Sequence, residues 1–223
     1  MWMVPGMLLR VDSVRAETQS VKVFELVDPQ GMDLIPFTAG SHVELALPNG
    51  MLRRYSLCND PREKHRYELG VLLQPGGGGG SRYLHERVAP GDLLQVSAPR
   101  NRFPLDESAL RHVLIAGGIG VTPLLSMAAR LQAINTEFVL HDCTRDLATT
   151  AFQRRLFDSG LNQNTRLHHD GGHQGGLGTL AQQSCAFREL CFARRHVGGN
   201  PDICNRSIRD RTGEFRRGLH GAS

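Results

Sequence analysis

The sequence predicts an antiparallel β-barrel followed by the first part of a parallel α/β domain. Three observations carry that prediction. Up to about residue 107 the chain breaks into short runs of branched and aromatic residues, each bounded by a turn of Pro, Gly, Asn or Asp. From about residue 108 the apolar runs lose their alternation and take turns with helical periods, as strands buried on both faces do. Beyond about Gly178 neither period persists.

In the first region Met7 to Val14, Val21 to Val27, His42 to Leu47, Met51 to Cys58, Arg66 to Leu73 and Leu93 to Ser97 read as strands. Asp28-Pro29, Pro48-Asn49-Gly50, Asn59-Asp60-Pro61 and Pro90-Gly91-Asp92 are the turns between them. Strands at this spacing suit a small antiparallel barrel. One helix interrupts it, roughly Ser81 to Val88, with Ser81 the expected N-cap.

In the second region His112 to Ala116 reads as a buried strand, Gly117 to Gly120 as a tight turn, and Thr122 to Leu131 as a helix. Phe138 to His141, Thr149 to Phe157 and Arg166 to His169 continue as strand, helix and strand, the opening of a parallel α/β sheet. The expected division is a barrel domain over residues 1–107, a partial α/β domain over 108–178, and an atypical tail over 179–223.

Composition narrows the function. The formal net charge is +4 and the pI about 9.0, almost wholly from Arg, since Lys occurs only at Lys22 and Lys64. No basic run or RNA-binding signature accompanies that charge, so nucleic acid is not an expected partner. The apolar start, Met1 to Leu9, is broken by Pro5 and Gly6 and lacks a signal peptide's basic flank and cleavage site. No stretch approaches the roughly 20 apolar residues of a membrane span. Five cysteines at irregular spacing suit a reducing compartment, so a cytoplasmic protein is expected.

Three segments have the character of ligand sites. In Arg53-Arg54-Tyr55-Ser56-Leu57, alternation puts Arg53, Tyr55 and Leu57 on one face and Arg54 and Ser56 on the other. Such a strand offers a ring for stacking and a cation for a phosphate; it also reads as a barrel strand with a structural Arg–Tyr pair. Gly76 to Gly80 lead into Ser81 and a helix, which brings backbone N–H groups and a helix N-terminus together, as a phosphate requires. Five successive glycines also fit a flexible linker. Gly117, Gly118 and Gly120 lie between a buried strand and a helix, with Pro123 in the first turn, where nucleotides bind open α/β sheets. A fourth segment, His168-His169-Asp170 with His173, reads as solvated strand-end histidines rather than a metal cluster, because adjacent residues of a strand face opposite ways. No metal site is expected.

Taken together, Arg53 to Asn59, the glycine loop into Ser81-Arg82-Tyr83-Leu84-His85-Glu86, Ser97 to Leu105 and Gly117 to Leu125 resemble the phthalate dioxygenase reductase and vanillate O-demethylase reductase group of the ferredoxin-NADP reductase superfamily. The likeness runs from about Met7 to Gly178. It implies an oxidoreductase with an FMN-binding barrel (FAD being the alternative), a domain for NADH or NADPH, and a C-terminal [2Fe–2S] domain that feeds a Rieske oxygenase. It further implies that Arg53, Tyr55 and Ser56 hold the flavin, Gly70 and Val71 line its ring, and Gly79, Gly80 and Ser81 hold its phosphate. Thr122 would sit near flavin and nicotinamide, with Thr122 and Ser56 the catalytic residues. Thr144 and Arg145 would meet the nucleotide's ribose or phosphate.

The sequence departs from that group at three places. Gly78 replaces a usual Arg, and Asp142 a usual aromatic residue. The Cys-Gly-Pro segment that closes the nicotinamide site is absent, as is the C-x4-C-x2-C cluster motif, and Cys185, Cys191 and Cys204 have other spacings. A flavin-binding remnant without turnover is therefore the rival to an active reductase. The last 45 residues hold eight Arg, no Lys and three of the five Cys. Such a tail is expected to be disordered, or the product of a shifted reading frame, and to add no strand to the sheet.

Overall fold

The computed structural model describes residues 6–48, 50–169 and 190–194, the last segment as backbone only. The barrel contains β1 (Gly6–Ala16), β2 (Val21–Val27), β3 (Ser41–Ala46), β4 (Leu52–Ser56), β5 (Tyr67–Leu72) and β6 (Leu93–Ser97). They pair in the order β4-β3-β6-β1-β2-β5, every neighbour antiparallel. A two-residue strand, β7 (Arg100–Asn101), adds to β3. The edges β4 and β5 meet through a single bridge, Leu57 to Leu69, which curls the sheet onto itself. Alternation explains the closure: Leu9, Phe24, Leu26, Leu45, Tyr67 and Leu69 point inward and are almost fully buried. Each side chain of this kind contributes roughly 1.5–3 kcal/mol by leaving water.

Helix α1 (Gly80–Arg87) spans the opening after β5. Its N-cap is Gly79, in the left-handed conformation at φ 80°, rather than Ser81. Ser81 lies inside the first turn, where its hydroxyl accepts a hydrogen bond from Gln74 N at 3.0 Å and fastens the glycine loop. A carbonyl of the helix, His85 O, accepts from Lys22 Nζ of β2 at 2.9 Å, which ties the helix to the barrel.

The second domain is built from β8 (Arg111–Gly117), α2 (Val121–Ala133), β9 (Glu137–Thr144), α3 (Gln153–Asp158) and β10 (Thr165–His169). Its sheet has the order β10-β9-β8-β11, all parallel. Strand β11 (Leu190–Arg194) corrects an expectation, for it lies in the tail to which the sequence assigned no strand. It pairs with β8 in the register Leu190 to Val113. A five-residue strand at the end of the described sheet needs only backbone pairing with β8, and that leaves no period in the side chains to read.

The position of β11 has a consequence for ligand binding. Strands β9 and β10 extend from β8 in one direction and β11 lies on the other side, so the topology reverses beside β8. The crevice at such a reversal is where open α/β sheets take ligands, and the Gly117–Gly120 turn emerges there.

The two domains share a core. Val21, Val23, Ala39, Cys58 and Phe103 of the barrel region cluster with Leu114, Val121, Leu124, Met127 and Phe152 of the α/β region. Strand β5 divides its residues between the two: Leu69 and Val71 enter the barrel core, while Gly70 lies against Phe152 and Thr122. A Cβ at Gly70 would stand 2.7 Å from both the Phe152 ring and the Thr122 methyl carbon, so only glycine permits this approach. Phe152 adopts φ 64°, an uncommon conformation for a bulky residue, and its N–H donates to Glu17 Oε2 at 3.1 Å. Docking of that ring also shortens α3. The sequence expectation began it at Thr149, but Leu147–Thr149 form a separate 3-10 turn capped by Asp146, and α3 starts at Gln153.

Candidate functional site

The two arginines of β4 part company as alternation requires. Arg54 Nε donates to Glu44 Oε1 at 2.6 Å, across the pair in register on β3. The Glu44 carboxyl is held below its ordinary value chiefly by that hydrogen bond. Arg53, on the other face, reaches the glycine loop, where Nη2 donates to Gly78 O at 2.7 Å. A Cβ at Gly80 would lie 2.4 Å from Arg53 Nε, so glycine is what lets the guanidinium rest on the first turn of α1. That turn contains no acidic residue and no side-chain cap. A guanidinium and an uncapped helix N-terminus thus converge on one spot, the arrangement an anion needs.

The remaining expected site residues divide. Tyr55 is buried among the barrel core residues and Ser56 is half-buried beside it. The Val71 side chain is inside the barrel, and its carbonyl faces His85 Nε2 at 2.9 Å, so any contact from Val71 to a ring runs through backbone. Gly70 is covered by Phe152 and Thr122, and the Thr122 hydroxyl donates to Ile119 O at 3.0 Å. Gly117 ends β8, Gly118 takes φ 55°, and Gly120 leads directly into α2. Thr144 is buried and its hydroxyl shares hydrogen bonds with Thr150 Oγ1 at 2.6 Å and His169 Nδ1 at 3.1 Å. Arg145 is exposed and makes no ion pair among the described residues.

Sequence reasoning missed a buried charge cluster beneath this region. Glu68, 2% exposed, bonds Arg15 at 3.0 Å, lies 3.8 Å from Arg66, and pairs with Arg155 across the domain interface. Burial alone would raise its carboxyl, but Arg155, Arg15 and Arg66 together hold it below the ordinary value. Strand parity contained the signal, since Glu68 shares its face with Gly70. Cys58 is buried beside the cluster, and burial pushes its thiol up to about 12.

Two further features stand apart. Asp142 is 1% exposed, both its oxygens lack a hydrogen-bond partner among the described residues, and burial raises its carboxyl to about 7. Of the histidine segment, Asp170 and His173 lie outside the described residues, while His168 pairs with His141. Burial lowers both of these histidines, helped at His141 by His168 and at His168 by His169.

An antiparallel barrel joined to a parallel sheet with a glycine turn at its switch point is the architecture of a ferredoxin-reductase-type flavoprotein. Known proteins agree. A family model described as "Oxidoreductase FAD-binding domain" matches residues 8–104. A second, short match to a "Syntaxin-5 N-terminal, Sly1p-binding domain" covers residues 204–216, outside the described residues. Vanillate O-demethylase oxidoreductase of Pseudomonas putida is 46% identical over 154 residues, 69% of this chain and 48% of the relative. Phthalate dioxygenase reductase of Burkholderia cepacia is 39% identical over 212 residues, 94% of this chain and 65% of the relative. A solved phthalate dioxygenase reductase, titled as a modular structure for electron transfer from pyridine nucleotides to [2Fe–2S], superposes with a TM-score of 0.74 at 42% identity. That superposition covers 76% of this chain and 53% of the solved one. Over the matched residues the chain is similar to members of the phthalate dioxygenase reductase and vanillate O-demethylase reductase group. It spans about half the length of the first of these relatives. Among the described residues, no helix is long and apolar enough to cross a membrane.

Proposed function

We propose that this chain is the flavin- and nicotinamide-binding portion of a reductase component that serves a Rieske-type oxygenase, acting in the cytoplasm. The observation that carries the reading is Arg53 lying on the N-terminal turn of α1. Arg53 and the N–H groups of Gly79, Gly80 and Ser81 suit the terminal phosphate of FMN, the group present in FMN and, within a diphosphate, in FAD. FMN is favoured over FAD by the likeness to the phthalate dioxygenase reductase group. A flavin held by these residues would supply the acceptor for a hydride from a reduced nicotinamide. Tyr55 and Ser56 would border its ring, and Thr122 would approach it from the α/β domain with its hydroxyl oriented by Ile119 O. The exposed Arg145 and the Gly117–Gly120 turn suit the nucleotide's phosphates; Thr144, whose hydroxyl is already committed to Thr150 and His169, suits the role of positioning that loop.

Arg53→Ala is expected to weaken flavin binding by roughly 1.5–3 kcal/mol, while Arg54→Ala leaves it nearly unchanged because Arg54 serves Glu44. Flavin dissociation constants from fluorescence quenching test this, and equal values for the two variants would overturn the cradle. Gly78→Arg supplies the cation that the group usually shows there. It should tighten FMN but not riboflavin, which has no phosphate; an equal gain for both would place the phosphate elsewhere. Steady-state NADH oxidation with added FMN separates an active reductase from a flavin-binding remnant, which consumes no NADH.

The division at residues 107 and 178 is part of the same proposal, as is a shifted reading frame for the tail. Two findings weigh against the shifted frame: β11 joins the sheet, and the match to phthalate dioxygenase reductase continues over 212 residues. The coding DNA decides it. A Cys-Gly-Pro segment and a C-x4-C-x2-C motif in another frame beyond codon 178 would establish the shift, and their absence from both other frames would remove it.

A further inference from the structure

On the sheet face turned away from α2, two imidazoles meet across neighbouring strands. Phe138 and Leu140 of β9 belong to the core cluster that contains α2, so alternation places His141 and Cys143 on the opposite face. Strand β10 runs parallel with Arg166 beside His141 and His168 beside Cys143, which brings His168 to that same face. His141 Nδ1 lies 2.9 Å from His168 Nε2, and the rings are 20° from parallel with centroids 5.1 Å apart. We propose that His141 and His168 form a bidentate site for a borderline divalent ion of the Zn2+, Cu2+ or Ni2+ class, with water completing the coordination.

Imidazole is the ligand such ions favour. Metal–nitrogen bonds of about 2.0–2.1 Å place two ligand nitrogens about 2.9 Å apart at a right angle and about 3.4 Å apart at the tetrahedral angle. The pair therefore has the nitrogen spacing of adjacent square-planar ligands, but the nitrogens face each other in line, so each ring must turn to aim its lone pair at a shared ion. A tetrahedral ion needs about half an ångström of opening, which side-chain rotation supplies without moving either strand. Both rings are half-buried, which leaves a path for the ion and room for water. In the present pairing one of the facing nitrogens carries the hydrogen. Binding shifts that proton to the other nitrogen of the same ring, so a neutral pair takes up the metal with no net proton release.

The limits of the site are equally visible. Among the described residues no group of three His, Cys, Asp or Glu side chains converges, so those residues supply two ligands. Arg166 shares the face and is exposed, and its charge opposes a cation. His169 and Thr144 bond one another on the other face and take no part. An ion held here would clip β10 to β9 at the edge of the described sheet.

Calorimetric titration of the full chain with Zn2+ tests the site. The wild type should bind one equivalent more tightly, by at least tenfold, than either His141→Gln or His168→Gln, and Cys143→Ser should bind within twofold of wild type. Unchanged affinity in both histidine variants would overturn the assignment, as would a tenfold loss in Cys143→Ser. Should a variant fail to fold, imidazole carbon–proton resonances of the wild type settle the matter: Zn2+ should move those of His141 and His168, and no movement of either would reject the site.

Discussion

Asp142→Leu is expected to stabilise the protein by about 4 kcal/mol at pH 8, with a gain that vanishes below about pH 4. Leucine branches at the same carbon as aspartate and needs no partner, whereas both Asp142 oxygens are buried without one among the described residues. The direction follows from the two protonation states. Asp142 titrates near 7 in the folded chain against an ordinary 3.8. Its contribution is fully present below pH 3.8, where it is protonated folded or unfolded. Between there and pH 7 the unfolded chain ionises while the folded chain does not, and stability falls by about 1.4 kcal/mol per pH unit. Above 7 both ionise and the loss is complete. Urea unfolding of wild type and Asp142→Leu from pH 4 to pH 8 tests this; parallel curves would show that Asp142 has found a partner.

Glu68→Ala should cost about 3–5 kcal/mol, because it leaves three guanidiniums without their shared carboxylate. Arg155 belongs to the α/β domain and Arg15 and Arg66 to the barrel, so the loss falls on the docking of one domain against the other. The expected signature is a single unfolding transition resolving into two, with the proposed oxidation of NADH slowed more than flavin binding is weakened. Glu68→Gln keeps one acceptor oxygen but loses the charge and the other acceptor, so it should fall between. The pH dependence runs opposite to that of Asp142. Glu68 is held below its ordinary value, so its contribution is present above the usual carboxylate range and is lost as the pH falls through its depressed folded value. Stability should therefore rise from strongly acidic pH and then decline toward neutrality. One cooperative transition in Glu68→Ala, within about 0.5 kcal/mol of wild type, would rule out this role for Glu68.

Most of the fold was legible because its signals are local. Val21–Val27 and Leu93–Ser97 were read with their observed bounds, since alternation and flanking turns fix a strand wherever one face is buried. The same alternation correctly separated Arg53 from Arg54. The start of α3 and the cap of α1 were not legible. Phe152 adopts its conformation because a glycine on a distant strand leaves room for its ring, and Ser81 is drawn from the cap by Gln74.

The sequence by itself determined the two architectures, the faces of each barrel strand and the glycines that open the turns before α1 and α2. These follow from side-chain period and backbone freedom, which are properties of neighbouring residues. Only the tertiary structure decided that Arg53 lies on the first turn of α1, that Glu68 gathers arginines from both domains, and that β11 completes a switch point beside Gly117. It alone placed His141 against His168 and left Asp142 without a partner among the described residues. Each of these depends on which distant residues share a space, and sequence separation contains no record of that distance.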